Sequence, residues 1–247
     1  MEHKIYVKKD NMNLQENISR IKSMMGLLTE EEQKSYENKP IILIGPQGTG
    51  KSTTAKALAK KLGIPLVTTD MSMVDEKYEN VCKDEPGVEV TIKRHPKEGL
   101  YYDSNEKYPF CVLNKLMDEH SNDKIVLDVG GTHAYISEEL SSKVKELFNQ
   151  SSNVFIFNVS GDEDETYEFL KKRREGRGEE TKNEDDKKFR TAINNLNNYY
   201  RGTQKISIID KDKKSKTTDE LVDEIITKLT WWTYKKTYKE LKKWWGL

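Results

Sequence analysis

Cysteine is scarce in this chain of 247 residues: Cys82 and Cys111 are all it has, 29 positions apart, with no C-x-x-C pair. That pattern argues against a disulfide framework and against a cysteine-based zinc site, and it makes a reducing cytoplasm the expected location. Arginine is almost as thin, seven of the 42 basic residues, so a cluster of arginines carries more information than scattered lysines. A dominant charge is also lacking. The 42 acidic and 42 basic residues leave a formal net charge of zero, so there is no global basic field and no strong nucleic-acid signal. No apolar stretch approaches the ~18 residues of a spanning helix, and the N-terminal residues hold no signal-peptide core, so neither a transmembrane segment nor a leader is expected. There is no internal repeat.

What is present begins at Ile41-Ile42-Leu43-Ile44, which runs into Gly45-Pro46-Gln47-Gly48-Thr49-Gly50-Lys51-Ser52-Thr53. A short, wholly apolar run reads as a strand buried on both faces. The residues after the turn, Thr54 to Leu62, repeat apolar positions at helical spacing. This is G-x-x-x-x-G-K-[ST] between a strand and a helix, the context that gives the motif its meaning. Glycines let successive backbone N–H groups converge on phosphate oxygens, and the helix N-terminus adds partial positive charge. The expected cofactors are ATP and Mg²⁺. Gly45, Gln47, Gly48, Thr49, Gly50, Lys51, Ser52 and Thr53 form the cradle; Lys51 reaches the β- and γ-phosphates and the Ser52 hydroxyl ligates the metal.

Residues 1–38 form an N-terminal helical extension, with an amphipathic seam at Leu14, Ile18, Ile21, Met25 and Leu28. A single domain over 39–230 follows. Within it Ile64–Asp70 reads as a second strand ending on an acid, and Lys124–Asp128 as a third, followed by Gly130-Gly131. Asn153–Val159 and Ile206–Asp210 are the fourth and fifth. Residues 71–110 are longer than an ordinary αβ connection and read as a substrate-side insertion or a solvated excursion. A helix closes at Leu170, and 171–188 is a charged lid. Thr217 and Glu220 form a capping box. Residues 231–247 make a last helix whose stripe of Trp231, Tyr234, Tyr238, Leu241 and Trp245 is interleaved with lysines. Either terminal helix contacts the domain itself or a partner.

Strands alternating with helices predict a parallel sheet covered on both faces, with ligands at the carboxyl ends of the strands. Phosphoryl transfer needs a phosphate cradle, a metal, an acid near the acceptor and cations for the developing charge. Ser52 and Asp128 are the expected metal pair. Asp70 is the acid placed to orient or deprotonate an acceptor hydroxyl, and Arg173, Arg174 and Arg177 are the lid cations.

The order of cradle, Asp70, Gly130-Gly131, arginine-bearing lid and a helix ending in Tyr199-Tyr200 resembles shikimate kinase over residues 40–229. The resemblance implies a three-layer P-loop kinase fold with a five-stranded parallel sheet in the order 2-3-1-4-5. It implies transfer of the γ-phosphoryl group of Mg-ATP to a hydroxyl of a small molecule. Asp70, Gly130 and Gly131 would then bind the acceptor, and Arg94, the sole arginine in 71–110, its carboxylate. Thr68 and Thr132 depart from the family's second acid and third glycine. Two alternatives stay open: a nucleoside or nucleotide kinase, and a nucleotide-switched binding module with little turnover.

Overall fold

Four consecutive aliphatic residues make β1 (Ile41–Ile44), and in the computed structural model all four are buried. The structure describes residues 39–95, 99–131, 138–149, 153–159, 162–176, 189–196 and 204–229, which lie within one compact unit spanning 38–229. Successive side chains of a strand point to opposite faces. Ile42 and Ile44 accordingly join one core and Ile41 and Leu43 the other. Both sides of the sheet are therefore dry, which is why β1 shows no polar alternation.

Around β1 a five-stranded sheet forms in the order β2 (Leu66–Thr68), β5 (Val126–Asp128), β1, β6 (Val154–Asn158), β7 (Gln204–Ser207). Every pairing within it is parallel. Counting only the strands of this sheet, that is the expected 2-3-1-4-5 order. Leu43 and Thr68 both stand opposite Asp128, so the ends of β1, β2 and β5 are level. One core is covered by Tyr108, Val112, Leu113 and Leu116 of α4 (Lys107–Glu119) and by Leu140, Val144 and Phe148 of α5 (Glu138–Asn149). The other is covered by Ala55 and Leu58 of α1 (Lys51–Leu62), Tyr167 and Leu170 of α6 (Glu163–Glu175), Phe189 and Ile193 of α7 (189–196), and Leu221 and Ile225 of α8 (218–229). Thr217 and Glu220 do form the reciprocal box at the start of α8. The Glu220 amide donates to Thr217 Oγ1 at 3.3 Å and the Thr217 amide donates to Glu220 Oε2 at 2.7 Å.

The long excursion between β2 and β5 is ordered locally. It contains α2 (Thr69–Ser72), α3 (Glu76–Lys83), and an antiparallel hairpin of β3 (Val90–His95) and β4 (Gly99–Ser104). Tyr101 and Tyr102 belong to β4, whose glycine and aspartate neighbours hide its strand character in the sequence. Asp70 is not a strand end. β2 stops at Thr68, and the chain turns helical at Thr69, closed by the Met73 amide donating to Thr69 O at 2.9 Å and by Ser72 Oγ donating to Thr68 O at 3.1 Å.

The cysteines also correct the sequence reading. Cys82 on α3 and Cys111 on α4 are joined in a disulfide, Cα atoms 6.0 Å apart, and no cysteine is free. They meet because α3 and α4 pack side by side. Lys77 Nζ and Tyr78 Oη both donate to Glu119 Oε2, at 2.8 and 2.9 Å, and Tyr108 Oη donates to Met73 O at 2.8 Å. Disulfides are rare in cytosolic chains, so the bond removes the cysteine argument for a cytoplasmic location. No helix among the described residues is long and apolar enough to cross a membrane. The helical extensions expected over residues 1–38 and 231–247 lie outside the described residues.

Candidate functional site

The loop after β1 takes its shape from glycines at two kinds of position. A Cβ at Gly45 would lie 2.8 Å from Phe157 Cβ and 3.0 Å from Phe157 O, so only glycine lets the chain leave β1 this close to β6. Gly48 and Gly50 have φ of 92° and 83°, the left-handed region that side-chain-bearing residues avoid. Thr49 Oγ1 donates to Pro46 O at 2.9 Å and closes the turn from inside. Gly50 O then accepts from the Thr54 amide at 3.0 Å and Thr54 Oγ1 at 3.1 Å, which starts α1. No side chain caps α1 and its first turn holds no acid. Its leading N–H groups are thus left for an anion.

Two carboxylates stand at the same end of the sheet. Asp128 closes β5, and Lys51 Nζ is ion-paired with its Oδ1; both residues are buried. Asp70 sits in the first turn of α2 and is exposed. Its carboxyl is held above the ordinary range, chiefly by the water it loses on its protein-facing side; the Lys51 charge opposes the rise and the Asp128 charge adds to it. The Gly130 amide donates to the buried Thr69 Oγ1 at 2.7 Å. A Cβ at Gly130 would overlap Asp70 Oδ1, and one at Gly131 would lie 3.8 Å from the Gln47 amide nitrogen. Lys51, Asp70, Asp128, Gly130 and Gly131, found separately in the sequence, therefore meet at one sheet end with the cradle. Ser52 and Thr53, exposed at the start of α1, belong to the same mouth. Thr69 escaped the sequence reading, and the one hint was a hydroxyl immediately before the acid.

The lid residues are placed differently. α6 runs to Glu175, so Arg173 and Arg174 are helical rather than part of a loop. Lys172, Arg173 and Arg174 fill the last turn, where cations favour the helix dipole. The Arg174 guanidinium is buried 5.2 Å over the Phe189 ring, and Arg173 lies 6.0 Å over Phe169. Arg177 and the Arg94 side chain lie outside the described residues, although the Arg94 backbone is in β3 opposite Leu100.

Residues 41–235 match the ATPase family associated with various cellular activities (AAA). The chain belongs to this AAA family. Among curated relatives, the ATP-dependent protease ATPase subunit HslU of Staphylococcus haemolyticus (strain JCSC1435) is 29% identical over 113 residues, 41% of this chain and 24% of that protein. The HslU subunit of Staphylococcus aureus (strain Mu3) is 32% identical over 92 residues, 33% of this chain and 20% of that one. The AAA chain thus spans about a quarter of the first of these relatives' length. Two solved structures share its fold. Shikimate kinase from Acinetobacter baumannii, in complex with shikimate, superposes with a TM-score of 0.51 at 18% identity, covering 78% of this chain and 94% of that one. A gluconokinase from Sinorhizobium meliloti 1021 gives 0.50 at 13%, covering 82% and 98%.

At such identities the kinases share architecture only, and one architecture hosts many chemistries. The membership corrects the sequence reading: shikimate kinase-like, kinase and transferase describe the fold's resemblance and not this AAA chain. Transfer to a small-molecule hydroxyl and a small-molecule acceptor as partner fall with it. ATP with Mg²⁺ is retained as the cofactor. The donor set suits it: an uncapped helix start, left-handed glycines and a buried carboxylate beside a lysine.

Proposed function

We propose that this AAA chain binds Mg-ATP in the 45–53 cradle and hydrolyses it to ADP and phosphate, using the cycle to act on a protein partner. The observation that carries the reading is the buried Lys51–Asp128 pair directly behind the glycine loop. Lys51 exchanges Asp128 for the β- and γ-phosphates when nucleotide enters. Ser52 and Asp128 would hold Mg²⁺, which would supply neutralisation of phosphate charge. Arg174 serves packing against Phe189 in this reading, and Arg173 stays on the surface of α6. Support for a protein partner comes from the relatives named ATP-dependent protease ATPase subunits. That is the nucleotide-switched alternative with turnover added.

Purified chain incubated with Mg-ATP tests this directly. Phosphate and ADP should appear in equal amounts, at a rate that sugars, hydroxy acids and nucleosides leave unchanged and Lys51→Ala abolishes. Absence of binding to Mg-ATP and Mg-ADP, or ADP formed without free phosphate, would refute it.

A further inference from the structure

We infer that the Thr69 hydroxyl positions the Asp70 carboxylate to take the proton that water loses as it attacks the γ-phosphorus of ATP. The inference rests on the hydrolytic reading above. Hydrolysis needs a proton acceptor near the γ-phosphate, and among the described residues this corner of the site offers two carboxylates, Asp70 and Asp128. Asp128, paired with Lys51 before nucleotide enters, is in that reading the Mg²⁺ partner of Ser52 once Lys51 turns to the phosphates. Asp70 is the other, and its exposed edge gives the proton a way out to solvent.

Asp70 is aimed by a cross-brace. β2 and β5 run level, Thr68 opposite Asp128, and the chain leaves β2 as α2 and β5 as the Gly130 turn. The Gly130 amide donates to Thr69 Oγ1 at 2.7 Å, joining the two exits. Thr69 is fully buried, so no water competes for that bond and the first turn of α2 has a fixed rotation. Gly130 completes the arrangement by lacking a side chain. A Cβ there would overlap Asp70 Oδ1 and stand 3.0 Å from its Cγ. The carboxylate therefore rests on the Gly130 backbone, one residue from Gly131, which lies beside the cradle's Gln47 amide. The charges acting on it are Lys51 from α1 and Asp128 from β5.

In the step, the water oxygen bonds to the γ-phosphorus while the bond from that phosphorus to the β,γ-bridging oxygen breaks. The bridging oxygen leaves with the electron pair as part of ADP. The water proton passes to Asp70 and then to solvent, so ATP and water yield ADP, phosphate and one proton, with Asp70 restored.

Phosphate-release kinetics and Mg-ADP titration on the full chain test the inference together. Asp70→Asn should lower kcat about a hundredfold or more, the size of a general-base contribution, with Mg-ADP affinity preserved. Thr69→Val should lower kcat about tenfold with KM unmoved, the signature of an interaction made in the transition state. Thr69→Ser keeps the acceptor oxygen and should restore the rate. The acidic limb of the wild-type pH–kcat profile should vanish in Asp70→Asn and move in Thr69→Val, which a merely structural role would not do. Gly130→Ala, whose Cβ would overlap Asp70 Oδ1 and stand 3.1 Å from Thr69 Oγ1, displaces the carboxylate without removing the Thr69 hydroxyl and gives a second route if Thr69→Val does not fold. Wild-type-like turnover in Asp70→Asn, or equal turnover in Thr69→Val and Thr69→Ser, would overturn the inference while hydrolysis stood. A wild-type chain that binds Mg-ATP but releases no phosphate would instead overturn the hydrolytic reading beneath it.

Discussion

Removing the Lys51 ammonium while keeping its stem, as in Lys51→Met, should destabilise the nucleotide-free protein as well as abolish turnover. Lys51 is 6% exposed and Asp128 4%, so the substitution strands a carboxylate with almost no water to solvate it. Breaking one side of a buried pair costs about 3–5 kcal/mol. At about 2–4 °C per kcal/mol for a domain of this size, Tm should fall by about 6–20 °C. Asp128→Asn alone strands the ammonium and should be similarly harmful. The double variant removes both charges and should be distinctly more stable than the sum of the singles implies, because the coupling is lost once and not twice. Urea titrations followed by far-ultraviolet circular dichroism, without nucleotide, give the four free energies, provided the m-values agree. Mg-ATP at about a hundred times its Kd should then add about 2.7 kcal/mol to the wild type and nothing to Lys51→Met. Single substitutions that add to within about 0.5 kcal/mol, or a Lys51→Met protein as stable as wild type, would refute the reasoning.

The Cys82–Cys111 bond closes a loop across 29 positions, which corresponds to about 3.6 kcal/mol of chain entropy removed from the unfolded state. Reduction with dithiothreitol should therefore lower Tm by about 7–14 °C, and two titratable thiols in unreduced, unfolded protein would contradict the bond. Glu119 is held below the ordinary carboxylate range: burial pushes it up, but hydrogen bonds from Lys77 and Tyr78 outweigh that. A lowered carboxylate stabilises the fold above its unfolded value and loses that contribution as pH falls through the folded value. The α3–α4 junction should loosen on acidification, with Glu119→Gln flattening the acid limb of stability; an identical limb in the variant would sink the idea.

Much of the architecture can be read along the chain. The apolar run Ile41–Ile44, the glycine-rich loop, the helix behind it and the Thr217–Glu220 box are local patterns, set by neighbours a few positions apart. The 2-3-1-4-5 strand order followed from the resemblance, and it holds. Where the reading went astray, distant residues were competing. Thr69 turns helical next to a partner from the Gly130 turn, and α6 continues past Leu170 while Arg174 stacks on Phe189. Cys82 and Cys111 look unrelated until α3 and α4 are packed together. The function was misread for another reason: solved kinases at 18% and 13% identity share this architecture, and an architecture does not by itself fix the chemistry.

By itself the sequence determined that this protein has a triphosphate cradle, because left-handed glycines, a lysine and a hydroxyl in that spacing are a local requirement of wrapping backbone around phosphate. Only the tertiary structure decided which carboxylate pairs with Lys51, which one stays open to solvent, and what holds it there. Those outcomes depend on burial and on strands brought level across the sheet, quantities that no short stretch of chain contains.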